Sequence, residues 1–138
     1  MRKLSLLLVA LLVFTACGRE SVFSMDIGLC FDDESAEEVS SVPEVDCAEP
    51  HDNEVFAKYD VADGSFPGDQ ALLDTAMETC TAEYFATYVG TAYADSDLEV
   101  FPITPTAASW DDGDREIVCA LYALDLSKLT GSMEGSQR

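Results

Sequence analysis

Basic side chains are scarce in this sequence: seven Lys and Arg stand against 27 Asp and Glu, which gives a formal net charge of −20. Nucleic-acid binding depends on neutralising phosphates with basic residues, so this class of partner is excluded. The same shortage argues against electrostatic binding to anionic lipid headgroups. Solubility or adaptation to salt is the simplest interpretation of the acidity, and a specific cation store is the alternative.

Long apolar runs are also lacking. The longest, Leu4–Phe14, is too short for a membrane-spanning helix, which needs about 20 residues. Two basic residues precede it, which is typical of a signal peptide over residues 1–16. The sequence around Cys17 resembles the lipobox of bacterial lipoproteins, except that Phe14 replaces the usual aliphatic residue. We therefore expect acyl chains such as palmitate on Cys17, an anchor on the extracytoplasmic face of the cell membrane, and a short tether over residues 17–25. Ordinary secretion and an uncleaved anchor are the alternatives.

Cysteines are few, and no Cys-x-x-Cys motif is present. Without Cys17, an even number remains, which predicts two disulfides in a protein outside the cytoplasm. Three pairings are open, and we predict the one that joins neighbours in the sequence, Cys30–Cys47 and Cys80–Cys119. A zinc site with His51 as an additional ligand is the alternative, which the missing motif and an oxidising compartment disfavour.

One long helix is predicted at Asp69–Val89, where apolar residues recur at helical spacing. Asp69 is expected to cap its start and Gly90 to end it. Cys80 falls on a broad apolar stripe that is expected to face the core. The stripe consists of Leu73, Met77, Cys80, Tyr84 and Tyr88, supported by Leu72, Ala76, Phe85 and Val89.

Strand patterns account for most of the remaining apolar residues. The predicted strands are Val55–Asp60, Leu98–Thr104 and Arg115–Leu124. Pro102 restricts the second to an edge or a bulge, and the two apolar faces of the third suit the centre of a sheet. We expect a small α+β domain over residues 26–132, with the helix packed on a short, mainly antiparallel sheet, followed by a flexible tail at 133–138.

A single histidine is available for acid–base chemistry, and no Gly-x-Ser-x-Gly motif supplies a nucleophile. His51 stands beside Asp52 and close to Glu54, so a general base oriented by a carboxylate is one interpretation. The interpretation we favour is a turn whose imidazole hydrogen-bonds the neighbouring backbone. A pocket that joined His51 to the acidic turn around Gly113 would favour an enzyme.

The acidic turn around Gly113 follows Trp110, the only Trp of the sequence. It carries four carboxylates: Asp111, Asp112, Asp114 and Glu116. Hard cations such as Ca²⁺ bind several oxygen ligands, but this spacing does not match an EF-hand loop. We expect the carboxylates to close the turn, with Asp114 paired to Arg115 or Lys58, and Ca²⁺ binding is the alternative. Arg115 is expected to act as a partly buried counter-ion whose loss destabilises the fold.

Several short motifs follow one another in a characteristic order: Gly28-Leu29-Cys30-Phe31, Val42-Pro43, Cys47-Ala48-Glu49-Pro50-His51-Asp52-Asn53-Glu54, Phe66-Pro67-Gly68, Tyr88-Val89-Gly90, Pro105-Thr106 and Gly113-Asp114-Arg115. Together they resemble the septum-formation domain family of extracytoplasmic proteins in high-G+C Gram-positive bacteria. The resemblance covers about Asp26–Ser132. Leu29 before the first cysteine and the long segment before Cys47 depart from the pattern. The resemblance implies a secreted or membrane-held domain linked to cell division, and it supplies no catalytic residues.

We therefore expect a lipid-anchored, non-enzymatic interaction domain without a cofactor, which binds an envelope or division protein. Its expected contact surfaces are the acidic loop Asp32–Glu38 and the turn around Trp110, although a core position is favoured for Trp110 itself. The alternative is an envelope hydrolase or metal-dependent enzyme that uses His51 and neighbouring carboxylates. A structural or solubility role without a discrete ligand is a third hypothesis.

Overall fold

The computed structural model describes residues 19–21, 25–34 and 41–138, and of the first three only the backbone. The predicted signal peptide, Cys17 and residues 35–38 of the predicted contact loop lie outside the described residues. Within the described part of the chain, no helix is long and apolar enough to cross a membrane. The predicted α+β fold is confirmed, because one long helix packs on an antiparallel sheet and two disulfides cross-link the domain.

Five strands form the antiparallel sheet, and a short first strand pairs with its outer member. The strands are β1 (Arg19–Ser21), β2 (Cys30–Phe31), β3 (Ser41–Val45), β4 (Asn53–Asp60), β5 (Leu98–Ile103) and β6 (Glu116–Ala123). Their order is β1-β3-β2-β4-β6-β5. The edge position predicted for the strand with Pro102 is confirmed, since β5 pairs only with β6 in this order. β1 lies in the predicted tether, so part of that stretch is paired with Ser41–Pro43.

The strand β6 is buried on both faces, as its apolar residues predicted. Ile117, Cys119 and Leu121 face the helix and belong to the larger core cluster. Val118 and Ala120 point to the opposite face, where they pack in a second cluster with Met25, Phe31, Val42 and Val55. A central strand therefore joins two separate cores.

The sheet is curled rather than flat. Strands β3 and β5 are four steps apart in the sheet, which in a flat sheet would separate them by about 19 Å. Val42 of β3 and Ile103 of β5 nevertheless line the same cavity. A bulge in β4 between Val55 and Ala57 contributes to the bend, since an extra residue on one strand increases the local twist.

The predicted helix at Asp69–Val89 is confirmed, but a π-helical segment with a kink at Ala82, whose ψ of −123° is not helical, interrupts it. The parts are α1 (Asp69–Thr79), the π segment (Cys80–Tyr84) and α2 (Phe85–Val89). The helix starts after Gly68, whose φ of 100° and missing side chain leave no cap; Asp69 is the first helical residue and does not cap the helix as predicted. Gly90 ends the helix in the left-handed conformation, as predicted. A 3₁₀ turn (Tyr93–Asp95) and α3 (Ala107–Asp111) complete the elements.

The π segment changes which side chains face the core. Leu72 and Ala76 before the segment and Cys80, Phe85 and Val89 from its start onward are buried, all on the predicted stripe, and the inserted residue makes the step from Cys80 to Phe85 five positions instead of four. Leu73 and Tyr84, which were also expected to face the core, are 39% and 40% exposed instead; Leu73 precedes the π segment, so only the position of Tyr84 is explained by it. Cys80 stays buried as predicted, because it precedes the inserted residue.

Both predicted disulfides are confirmed. Cys30–Cys47 joins β2 to the turn after β3, and Cys80–Cys119 fastens the helix to β6. They close loops with sequence separations of 17 and 39 residues. In the chain-entropy account such loops contribute about 3 and about 4 kcal/mol to the free energy of unfolding.

The end of the chain, where the sequence indicated a flexible tail, packs on the domain in the structure. Met133 is buried. Gly135 and Gln137 donate backbone hydrogen bonds of 2.8 Å to the carbonyls of Tyr88 and Val89. These carbonyls close α2 and have no partner within the helix, which is why the following chain is held there.

Candidate functional site

His51 is enclosed at the start of β4. Its side chain is 0% exposed, and Nδ1 donates a hydrogen bond of 2.9 Å to the carbonyl of Glu49. Its backbone exchanges two hydrogen bonds with Leu129, at 3.0 and 2.8 Å. The geometry matches the turn that we favoured from the sequence, in which the imidazole is bonded to the neighbouring backbone.

The carboxylate of Glu54 is also 0% exposed and is surrounded by hydrogen-bond donors. Tyr88 donates to Oε1 at 2.7 Å, Ser132 donates to the same oxygen at 2.5 Å, and the backbone N–H of Met133 donates to Oε2 at 2.7 Å. Burial and the bond to Glu54 raise the pKa of the Tyr88 hydroxyl, which keeps it protonated as a donor. The network ties β4 to the helix and to the end of the chain.

Asp52 does not orient the imidazole of His51. Its Oδ2 accepts a hydrogen bond of 2.9 Å from the backbone N–H of Asp33 and lies 2.8 Å from Nζ of Lys128. Burial raises the pKa of Asp52, but the contacts with Lys128 and Asp33 outweigh it, so the net pKa lies below the usual value. The base–carboxylate pair of the enzyme hypothesis is therefore not assembled by these two residues.

Trp110 is a core residue and not an open contact surface. It is 5% exposed, its Nε1 donates to the carbonyl of Gly64 at 2.9 Å, and Phe66 meets its ring edge-on at 5.7 Å. The guanidinium of Arg115 lies 3.8 Å above the ring centroid. The turn after α3 is thus built around a buried aromatic ring and a stacked cation.

The carboxylates of the acidic turn point to separate partners. Asp114 accepts a bond of 3.1 Å from the backbone N–H of Glu116, and Glu116 pairs with Lys58 at 3.2 Å. The predicted pairing of Asp114 with Arg115 or Lys58 is therefore wrong, since Arg115 pairs with Asp63. Asp111 and Asp112 are exposed, and within the described part of the chain the acidic turn does not form a cluster of metal-ligating atoms.

The turn and His51 lie at opposite ends of β4. Asp60, at the far end of this strand, pairs with Glu116, whereas His51 precedes the first residue of the strand. Eight strand residues at about 3.3 Å each separate the two by roughly 25 Å. A cavity of about 420 Å³ next to the turn is lined by Thr104, Arg115 and Glu116 among others and not by His51.

An open groove lies on the face of the sheet opposite the helix. Two adjacent cavities of about 280 and about 310 Å³ share Phe101, whose side chain is 48% exposed. We call this surface the Phe101 groove; it is formed by the apolar residues Phe31, Val42, Phe101, Ile103 and Tyr122 and by the rim residues Asp32, Asp33 and Asp52. Lys128 contacts Asp32 at 2.7 Å and Asp52 at 2.8 Å, so carboxylates outnumber the ammonium group at the rim.

Sequence reasoning identified the acidic loop but missed the groove beside it. The alternation of side chains along β5 could have indicated the groove, because Phe101 and Ile103 must point away from the buried Leu98 and Val100. No local pattern indicated that Tyr88 bonds Glu54, since the two residues are 34 positions apart.

The fold and its cross-links define a small, acidic, disulfide-stabilised α+β domain. A family model described as septum formation matches residues 27–138, and the chain belongs to this family. The resemblance inferred from the sequence motifs is thereby confirmed, and the family description indicates a role related to cell division or the cell envelope. No curated protein and no solved structure matches the chain.

Proposed function

We propose that the chain is a lipid-anchored, extracytoplasmic, non-enzymatic interaction domain that binds an envelope or division protein through the Phe101 groove. The observation that carries the proposal is an apolar groove with an acidic rim, in which an aromatic side chain is left half exposed. Large aromatic side chains at the centre of such surfaces supply much of the energy of protein interfaces. The anchor at Cys17 is supported by the sequence.

Charge complementarity favours a partner segment that contains Lys or Arg next to apolar side chains. The rim carboxylates of Asp32, Asp33 and Asp52 attract such a segment, and the net charge of −20 strengthens the attraction at long range. An acidic segment would meet the same surface with like charge. The groove therefore selects partners by sign of charge as well as by apolar fit.

The enzyme hypothesis has less support from the same residues. His51 is enclosed and bonded to the backbone of Glu49, and Asp52 is engaged by Lys128. A general base must come within hydrogen-bonding distance of a substrate proton. This arrangement leaves His51 without a surface at which a substrate could meet it.

Site-specific crosslinking in intact cells tests the proposed surface. A photo-reactive residue replaces Phe101 in the full-length, tagged protein, and the matched control replaces Leu73, an exposed apolar residue of α1 on the helix side. We expect a reproducible membrane or division protein to be captured at position 101 only. Identical capture at both positions, or capture no greater than with the Cys17 anchor alone, would overturn the proposal.

Two variants separate anchoring from binding. Cys17→Ser is expected to release the protein from the membrane fraction without changing binding in solution. Phe101→Ala is expected to weaken binding of the captured partner by about tenfold or more while leaving membrane attachment intact. Leu73→Ala provides the matched control for surface truncation.

A further inference from the structure

Three ligand-type side chains converge beneath β2 and β4. A ring nitrogen of His51, Sγ of Cys30 and a carboxylate oxygen of Glu54 lie within 4.8 Å of one another. All three residues are buried. Among the described residues, this is the one place where such groups meet in this way. We call this cluster the Cys30 site.

The tautomer of His51 leaves a lone pair without a partner. Because the carbonyl of Glu49 can only accept, Nδ1 carries a proton, and in the neutral imidazole Nε2 then carries the lone pair. Nε2 is buried and has no hydrogen-bond partner among the described residues. An unpaired buried polar atom is costly, so such an atom calls for a functional explanation.

The surroundings of His51 and Glu54 match those of metal ligands in proteins. Metal-binding histidines usually donate their other N–H to a backbone carbonyl or carboxylate, as His51 does to Glu49. Ligating carboxylates are in turn held by donors, as Glu54 is by Tyr88 and Ser132. Two of the three groups are thus already oriented.

Cys30 becomes a ligand only when its disulfide is reduced. Cys47 is partly exposed, whereas Cys80 and Cys119 are fully buried, so a thiolate from solvent reaches the first disulfide through Cys47. Attack on Sγ of Cys47 breaks the Cys30–Cys47 bond, and Cys30 leaves as a thiolate. A second thiolate then resolves the mixed disulfide, so two thiols are oxidised to one disulfide and the protein gains two electrons.

We propose that reduction of the Cys30–Cys47 disulfide by a low-molecular-weight thiol or a protein dithiol creates a Zn²⁺ site formed by Cys30, His51 and Glu54. Thiolate, imidazole and carboxylate ligands suit Zn²⁺, and three protein ligands leave one position open. Tetrahedral zinc ligands lie about 3.5 Å apart, and the three atoms lie within 4.8 Å of one another, so any pair must approach by at most about 1.3 Å. Breaking the Cys30–Cys47 bond frees the side chain of Cys30 to make this approach.

Single-thiol variants of the full chain test the ligand set. In a Cys17→Ser background, Cys47→Ser leaves Cys30 as the free thiol, and Cys30→Ser leaves Cys47 as the matched control; both keep Cys80–Cys119. We expect the Cys47→Ser chain to bind one Co²⁺ with a thiolate-to-cobalt charge-transfer band that Zn²⁺ abolishes. Adding His51→Gln is expected to weaken binding by at least about tenfold. Absence of the band, or equal bands in the two single-thiol chains, would overturn the proposal.

A measurement on the unsubstituted chain does not depend on how the variants fold. The protein is equilibrated in a glutathione redox buffer with free Zn²⁺ held at fixed concentrations, and each cysteine pair is quantified by alkylation and mass spectrometry. Because Zn²⁺ binds only the reduced form, it should shift the Cys30–Cys47 equilibrium toward the dithiol by about tenfold or more and leave Cys80–Cys119 unchanged. No shift, or the same shift in both pairs, contradicts the proposed site.

Discussion

Replacing Arg115 by Ala removes three kinds of contact at once. The guanidinium stacks 3.8 Å above the ring of Trp110. Its Nη1 donates to the carbonyls of Trp110 and Asp114 at 2.9 and 2.6 Å. It also lies 3.2 Å from the carboxylate of Asp63, whose side chain is 94% exposed. The sequence predicted that Arg115 acts as a counter-ion, but in the structure the ring of Trp110 and two backbone carbonyls make most of its contacts.

The expected loss of stability follows from these contacts. A cation over an aromatic ring contributes about 0.5–2 kcal/mol, and hydrogen bonds from a charged donor contribute about 1.5–3 kcal/mol each before correlations between them are considered. An ion pair with an exposed carboxylate adds at most about 1 kcal/mol. Because these contributions overlap, we expect Arg115→Ala to lower the free energy of unfolding by about 2–4 kcal/mol. For a domain of this size, the melting temperature then falls by roughly 8–16 °C.

Thermal and urea unfolding of four variants locates the origin of this effect. Arg115→Lys keeps the charge but loses the planar stack, so it is expected to recover less than half of the loss. Asp63→Asn removes only the exposed ion pair and should cost little. Lys128→Ala, at a half-exposed cation that contacts two carboxylates, should cost at most about 1 kcal/mol.

Two results would refute this reasoning. Equal melting temperatures of Arg115→Ala and Lys128→Ala would show that burial against Trp110 contributes nothing. An Asp63→Asn variant as unstable as Arg115→Ala would show that the ion pair with Asp63 accounts for the loss of stability.

Three further predictions concern the buried network, the alkaline limit and the helix end. Glu54→Gln replaces an acceptor by a donor that faces existing donors, so we expect it to lower the free energy of unfolding by about 2–3 kcal/mol in urea titrations, while the exposed Glu134→Gln serves as the near-neutral control. Burial and the neighbouring Glu99 raise the pKa of Tyr93 from 10.0 to about 12. The contribution of Tyr93 to the free energy of unfolding is therefore complete below pH 10.0 and is lost as the pH rises toward 12. Tyr93→Phe should flatten the fall in stability over that range. Gly90→Ala forces a side chain into φ 88° and should lower stability by about 1–2 kcal/mol in thermal unfolding, and an unchanged melting temperature would contradict the left-handed helix end.

The helix shows which features can be predicted from the spacing of apolar residues and which cannot. Its start, its end and the buried position of Cys80 follow from turn residues and apolar spacing, which are local properties. The exposure of Tyr84 does not follow, because the spacing assumes 3.6 residues per turn and the π segment breaks that repeat. Leu73 precedes that segment, and the broad apolar stripe did not distinguish it from the buried Leu72. The inserted residue is compatible with the Cys80–Cys119 bond and the packing of Phe85, both of which depend on the distant β6 and its neighbours.

The candidate sites show which contacts could not be predicted from the local sequence. The cysteine count predicted two disulfides and the order of the motifs indicated the family, whereas the pairing was one choice among three that the structure confirms. The partners of Glu54 could not be predicted, because Ser132 is 78 residues away and comes close only after the end of the chain folds back on α2. The Phe101 groove likewise depends on the curl that brings β3 toward β5, which is a property of the whole sheet.

The proposed anchor and the proposed groove constrain each other. β1 begins at Arg19, two residues after Cys17, and pairs with Ser41–Pro43. Val42, within that paired stretch, lines the Phe101 groove, so acyl chains on Cys17 would hold the groove close to the lipid surface. Where the headgroups are anionic, the acidic rim and the membrane repel each other within a Debye length of about 8 Å, and a basic segment between them is attracted by both. A partner whose basic segment lies beside its own membrane anchor therefore fits this groove better than a soluble one.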